Sequence, residues 1–227
     1  MGLPERVSTL NEIELAAQPC LVIRPRAARA MFVLAHGAGA GMRHAFMAAL
    51  AEQLAERGIA TLRYEFPYLR AGRAIPGKPE LAEANVQTIW AAAARRYPSL
   101  PRFAGGKSYG ARMTSRAHAA NPLAGVRGLI FLGYPLHQPG KPSIERVAHL
   151  PHASGPMLFL TGSRDELAEL ELLRPVVQQL GSRAELTILE GADHGFTRPK
   201  AAIGTLADLT TRWIDRELAD VHRNLDS

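Results

Sequence analysis

Short, mostly apolar runs recur along this chain, separated by sequence suited to helices. Residues 31–35 (Met-Phe-Val-Leu-Ala), 59–64, 126–132 and 157–161 are of this kind. A strand buried on both faces reads as a continuous apolar run, because neither side of the pleat meets water. Between these runs lie amphipathic or alanine-rich stretches of helical length: 43–56 (with Gly58 placed to cap it), 80–96, 111–120, 166–180 and 199–218. Further strands are expected at 12–23 (one or two, ended by Arg24-Pro25), 102–104 and 184–189. Strand alternating with helix predicts the α/β class: a doubly wound, mostly parallel sheet with helices on both faces. The 227 residues contain no repeat, low-complexity linker or composition break, so one domain over 1–227 is expected. Residues 1–10 and 219–227 read as loosely ordered tails.

Composition narrows the function classes. With 47% hydrophobic and 21% charged residues, the chain can bury a full core. Its single cysteine, Cys20, lies in an apolar strand-like run and reads as a buried thiol. No apolar stretch approaches the length of a membrane span. The first eight residues lack a secretory signal's apolar region, and Arg6 stands where a myristoylation signal needs Ser or Thr. A cytoplasmic setting and no membrane partner are therefore expected. The net charge is +6, carried by 23 Arg against 4 Lys, but these residues are scattered rather than gathered on one segment. That distribution argues against nucleic acid as a partner and is compatible with an anionic substrate.

One stretch carries chemistry. Gly106-Lys107-Ser108-Tyr109-Gly110 matches G-x-S-x-G between a strand-like run and a helix-capable one. In that context it predicts a nucleophile elbow, a sharp strand-to-helix turn that holds a serine hydroxyl up and exposed. Glycines suit both sides of so tight a turn. Two other readings of the glycine-rich segments fail on single residues. A phosphate-binding G-x-x-x-x-G-K-[ST] loop ending at Ser108 would need Gly at 101, which is Pro101. A dinucleotide fingerprint over His36-Gly-Ala-Gly-Ala-Gly41 would need Gly at 42, which is Met42, although Glu65 follows the next strand as an acidic residue should. No cofactor is expected, and no His/Cys/Asp/Glu set has metal-ligand spacing.

Acyl transfer needs a nucleophile, a base, a group that orients the base, and donors for the oxyanion. On this kind of sheet the first three come in the order Ser, acid, His, each past a strand end. After Ser108, the run 157–161 leads into Gly162-Ser-Arg-Asp165, and the run 184–189 leads into Asp193-His194. Ser108 as nucleophile, His194 as base and Asp165 as orienting acid satisfy the order. Glu166, in the first turn of a helix, and Asp193, the neighbour of His194, are the rival acids. The oxyanion donors are expected to be the backbone N–H groups of Tyr109 and Ala38, with Gly39 as the alternative to Ala38. His36 is expected to brace that loop by hydrogen bonds, and His118 to be structural. His137, His149 and His152 are read either as lining a substrate mouth or as solvated.

These segments resemble the α/β-hydrolase superfamily over nearly the whole chain. More narrowly they are similar to a small dienelactone-hydrolase-like group that includes testis-expressed protein 30 and a subunit of the NSL chromatin complex. The resemblance rests on the 36–41 loop, the segments 62–68 and 105–112, Gly133-Tyr-Pro-Leu-His-Gln-Pro-Gly-Lys141, Thr161 to Asp165, and Ala192-Asp-His194. It implies the same nucleophile, acid and base. Dienelactone hydrolase itself uses a cysteine nucleophile, and Cys20 is wrongly placed for that role. Only 23 residues, 133–155, follow the strand ending at Leu132, too few for a large cap. An uncapped site suits a small soluble ester or thioester, with Tyr64, Tyr68, Tyr134 and His137 as expected walls. The expected function is a serine hydrolase working through an acyl-enzyme. The alternatives are a non-catalytic interaction module of the same fold, or a peptidase or acyltransferase with the same triad.

Overall fold

The structure, a computed structural model, describes residues 9–225. Eight strands form one sheet: β1 (Leu10–Leu15), β2 (Gln18–Ile23), β3 (Ala30–Ala35), β4 (Ile59–Tyr64), β5 (Arg102–Lys107), β6 (Val126–Leu132), β7 (Met157–Arg164) and β8 (Ala184–Asp193). Their order is β1-β2-β4-β3-β5-β6-β7-β8. The expected opening run is a hairpin, turning on Ala16 and Ala17, both at positive φ. It pairs antiparallel through β2 to β4, and all other neighbours are parallel.

Among the described residues six α-helices accompany the sheet: α1 (Ala45–Glu56), α2 (Pro67–Arg70), α3 (Pro79–Arg96), α4 (Tyr109–Ala120), α5 (Leu170–Gln179) and α6 (Ala202–Leu225). Alternation along β3 shows why its run is continuous. Met31 and Val33 join Val86, Ile89 and Trp90 of α3 in one core, while Phe32 and Leu34 meet Leu50 of α1 and Ile214 of α6 in the other. Each face buries its own residues, so neither can be polar.

Several bounds differ from expectation. The short helix α2 lies in what reads as loop, nucleated by Pro67 at its first position, where the missing N–H is no loss. Helix α5 starts at Leu170 rather than 166, because Asp165 and its neighbours turn back on themselves before the helix. Helix α6 continues through Leu225, so the expected tail 219–227 is helical to that point. At the other end Leu10 already pairs in β1, and the rest of the expected tail, save Thr9, lies outside the described residues.

Strand order sets where the site falls. The chain passes from β3 outward to β4, then returns to place β5 on the other side of β3. The crevice beyond the carboxyl ends of β3 and β5 is thus a topological switch point, where open α/β sheets bind their ligands. His36 and Ser108 follow directly after those two ends.

Candidate active site

Ser108 sits between β5 and α4 with φ 51° and ψ −113°. Such a backbone costs a non-glycine residue about 1–3 kcal/mol and persists only where the surroundings impose it. Here the Ser108 N–H donates to Leu132 O on β6, and the Ser108 carbonyl accepts from Arg112 N on α4. The flanking glycines let helix and strand close on β3: a Cβ on Gly106 would lie 2.3 Å from Ala35 O, and one on Gly110 would lie 2.5 Å from the same atom.

The structure brings the three sequence-identified groups into one chain of hydrogen bonds. Ser108 Oγ lies 2.8 Å from His194 Nε2. His194 Nδ1 lies 2.9 Å from both carboxyl oxygens of Asp165. Asp165 accepts at Nδ1–H, so Nε2 carries the lone pair and faces the serine hydroxyl. The Asp165 side chain is fully buried, while that of His194 keeps 20% of its surface exposed. Leu167 N–H donates to Asp165 Oδ1, which fixes the carboxylate's orientation. The rival acids are otherwise engaged: Asp193 accepts from the Thr197 N–H and hydroxyl, and Glu166 lines a surface groove with Arg164 and Glu171.

Three side chains from β4 and the segment after it fasten the 36–42 loop opposite Ser108. His36 is wholly buried; its Nδ1–H donates to Gly37 O, and its Nε2 accepts from Phe66 N–H. An acceptor at Nε2 requires the neutral ring, and burial pushes its pKa down, so the nearby Glu65 is not its ion-pair partner. Glu65 instead takes the Met42 N–H, and buried Arg63 donates to Met42 O. Tyr68 Oη accepts from Gly39 N–H. Glu65, the acidic residue that fitted a dinucleotide site, is therefore a loop brace. Ala38 lines the cleft beside Ser108, and its N–H meets no acceptor among the described residues. Tyr109 N–H lies in the first turn of α4, where no intrahelical acceptor exists.

The cleft has a volume of about 280 Å³ and is walled by Ala38, Phe46, Met47, Leu167, His194 and Lys107. Of the four expected wall residues, Tyr68 borders an opening. It lines a neighbouring groove with Pro67, Leu81 and Tyr109. Tyr64 is 1% exposed in the core between the sheet and α3–α4. Tyr134 is also 1% exposed, its hydroxyl bonded to Ser115 Oγ. His137 is buried against Glu169. These three are corrected from wall to core, because each side chain turns inward from its strand end or loop. Of the other histidines, His118 is structural, bonded to Ser154 and Leu123 N–H, and His149 bonds Ser115 Oγ. The cleft residues not singled out in sequence include His44, Phe46, Met47, Leu167 and Lys107. A buried α1 face and the x position of G-x-S-x-G were the available signals. Among the described residues no cluster of His, Cys, Asp and Glu fits a metal ion, and no helix is long and apolar enough to cross a membrane.

A doubly wound sheet with a strained serine at its switch point defines an α/β-hydrolase. Residues 28–221 match the family model described as "Alpha/beta hydrolase domain", and the chain belongs to that family. Its structural relatives include a dienelactone hydrolase of Anabaena variabilis (TM-score 0.75, 20% identity, 92% of this chain and 97% of that one). A serine hydrolase homologue of Coxiella burnetii gives a TM-score of 0.71 at 20% identity over 90% and 96% of the two chains. A Xanthomonas campestris protein described as a serine hydrolase without lid gives 0.69 at 18% identity over 94% and 98%. At these identities the likeness is one of fold. In sequence the chain is 29% identical over 211 residues to a Mycobacterium tuberculosis protein named "Putative phosphoribosyl transferase". The match covers 89% of this chain but 45% of that relative, so this chain spans less than half the relative's length.

Proposed function

We propose that this protein is a serine hydrolase that cleaves a carboxylic ester or thioester of a small substrate. The observation that carries the reading is the unbroken chain from Ser108 Oγ through the His194 ring to a buried Asp165 carboxylate. Ser108 attacks the carbonyl carbon while His194 Nε2 takes the hydroxyl proton. The carbonyl oxygen, now negative, is held by the N–H groups of Tyr109 and Ala38, the first aided by the positive end of α4. Collapse of the tetrahedral intermediate expels the alcohol or thiol, which takes the proton from His194. Water then enters, gives its proton to the same nitrogen and attacks the acyl-enzyme, releasing the acid and regenerating Ser108. Asp165 stabilises the imidazolium that forms.

Cleft size supports a short acyl group, since about 280 Å³ falls at the lower edge of small-molecule sites. The segment 133–156 contributes only two short 3-10 turns, Glu145–Val147 and Leu150–His152, so nothing large covers the serine. That openness favours water over a second substrate as the acyl acceptor. The phosphoribosyl transfer in the relative's name is not carried over, because the matched part is under half of that protein. A fluorophosphonate probe tests the reading. It should label the wild type at Ser108 and leave Ser108→Ala unlabelled; folded wild type that resists the probe refutes the proposal.

A further inference from the structure

Among the described residues, two ionisable groups of the cleft stand outside the triad: exposed His44, which caps α1 by accepting from Phe46 N–H, and buried Lys107, the residue before the nucleophile. Lys107 is 8% exposed. Its Nζ donates to the backbone carbonyl of His194 at 2.6 Å and lies 5.2 Å from the centroid of the Phe196 ring. Gly133, at the end of β6 with φ 62°, has no Cβ; one built there would stand 3.1 Å from Lys107 Nζ and 3.4 Å from Asp165 Oδ2. The ammonium and the triad carboxylate therefore converge on a single point where β5, β6, β7 and β8 end, without meeting in a direct ion pair. A lysine alone in a dry interior is costly, and it is tolerated where its charge and donors are used.

The turn that carries the base needs such a tie. His194 is followed by Gly195, which is exposed, and the turn closes through Phe196 N–H to Asp193 O and Thr197 N–H to Asp193 Oδ1. Neither bond involves His194 itself. Its ring is held by Asp165, and its backbone carbonyl by Lys107. We propose that Lys107 is a positioning residue of this catalytic site: its ammonium anchors the His194 backbone, so the strand that presents the nucleophile also sets the base. This rests on the hydrolase reading above. The ammonium also supplies the counter-charge facing the buried Asp165, with Asp193 the other carboxylate and His194 the remaining titratable group facing it.

The charged form is the one that anchors. Burial outweighs the attraction of Asp165 and Asp193 and pushes the Lys107 pKa down to about 8, so the proton leaves within the working range of an esterase. A neutral amine donates more weakly. Activity falls as pH rises through that value, in a limb that the triad alone does not produce.

The test compares wild type, Lys107→Met and Lys107→Arg between pH 6 and 10 on a small activated ester. Lys107→Met should lower kcat by about tenfold to a hundredfold, the scale of a misplaced catalytic group, with KM within about twofold. It should also lack the fall near pH 8. Its urea midpoint should fall, because the buried Asp165 carboxylate and the His194 carbonyl lose the ammonium that faces them. Lys107→Arg should recover part of kcat and show no fall near pH 8, since guanidinium does not titrate there. Unchanged kcat in Lys107→Met overturns the proposal, as does an alkaline fall that persists in either variant. A ring titration of His194 by NMR needs no substrate: its resonances should shift in Lys107→Met and stay near wild type in Lys107→Arg. Wild type that cleaves no ester refutes the hydrolase reading, and the ring titration then decides the anchoring on its own, with an unmoved ring overturning it. If Lys107→Met does not fold, the wild-type and Lys107→Arg pH profiles decide between the same outcomes.

Discussion

Gly110→Ala is the sharpest test of how the elbow is built. Helix propensity alone says that alanine in place of glycine inside α4 should stabilise by about 1 kcal/mol. The local geometry says the opposite. A Cβ at Gly110 would stand 2.5 Å from Ala35 O, 2.7 Å from Ala35 C and 2.7 Å from His36 O. All three are backbone atoms at the end of β3, which is paired on both sides by β4 and β5 and cannot retreat. The helix must move instead, by about 0.9 Å to reach ordinary contact at 3.4 Å. Overpacking against backbone that cannot yield falls in the upper part of the usual range, about 2–3 kcal/mol, which exceeds the propensity gain. We therefore expect a net loss of about 1–2 kcal/mol in urea unfolding. The same shift carries Tyr109 N–H and Ser108 away from the Ala38 loop. Displacements near 1 Å, or loss of one oxyanion donor, cost about a hundredfold in rate. The labelling rate with a fluorophosphonate should fall by that order while the circular dichroism stays native. A Gly110→Ala protein as stable as the wild type, and labelled within about twofold of its rate, would refute the packing argument.

Two further outcomes follow from the braces around the cleft. Tyr68→Phe removes the acceptor for Gly39 N–H but keeps the ring, and should lower kcat on a small ester by about fivefold to tenfold, the worth of one hydrogen bond, with little change in KM; an unchanged kcat would show that the loop holds without it. Acid should destabilise the fold before its carboxylates protonate. His36, His118 and His149 all have pKa values pushed down by burial, that of His149 to about 4 with Arg112 and Arg116 adding to the shift. Each native value lies below the unfolded one near 6.5, so the unfolded chain binds more protons and stability is lost as pH falls from about 6.5 towards 4. Urea midpoints at pH 7, 5.5 and 4.5 should decline, and His149→Gln should flatten part of that slope. A midpoint flat across the range would contradict it.

The backbone of the site was legible because strand ends leave a linear trace. Apolar runs mark the strands, the residues just past them gather at one edge of a parallel sheet, and Ser108, Asp165 and His194 all stand there in order. What failed was side-chain direction. Tyr64 was placed at the cleft because it ends β4, yet pleat parity puts it with Ala60 and Leu62 on the face covered by α3 and α4. Tyr134 and His137 follow β6 closely, but the 133–156 segment folds their side chains under itself. Lys107 was overlooked for the opposite reason. Lysine at an unconstrained motif position reads as solvent-exposed, and only the three-dimensional meeting of four strand ends gives its ammonium a carbonyl to hold. Glu65 and Tyr68 illustrate the same limit, since their partners are the amide groups of Met42 and Gly39 rather than any recognisable motif.

The backbone at Ser108 bears on whether such a chain is still an enzyme. At φ 51° and ψ −113° a glycine would rest more easily than any residue with a side chain. A lineage that had given up catalysis and kept only the scaffold would gain stability by making that exchange, and random change would be free to make it. Serine at this torsion is thus a standing handicap to the fold, one that a glycine would relieve.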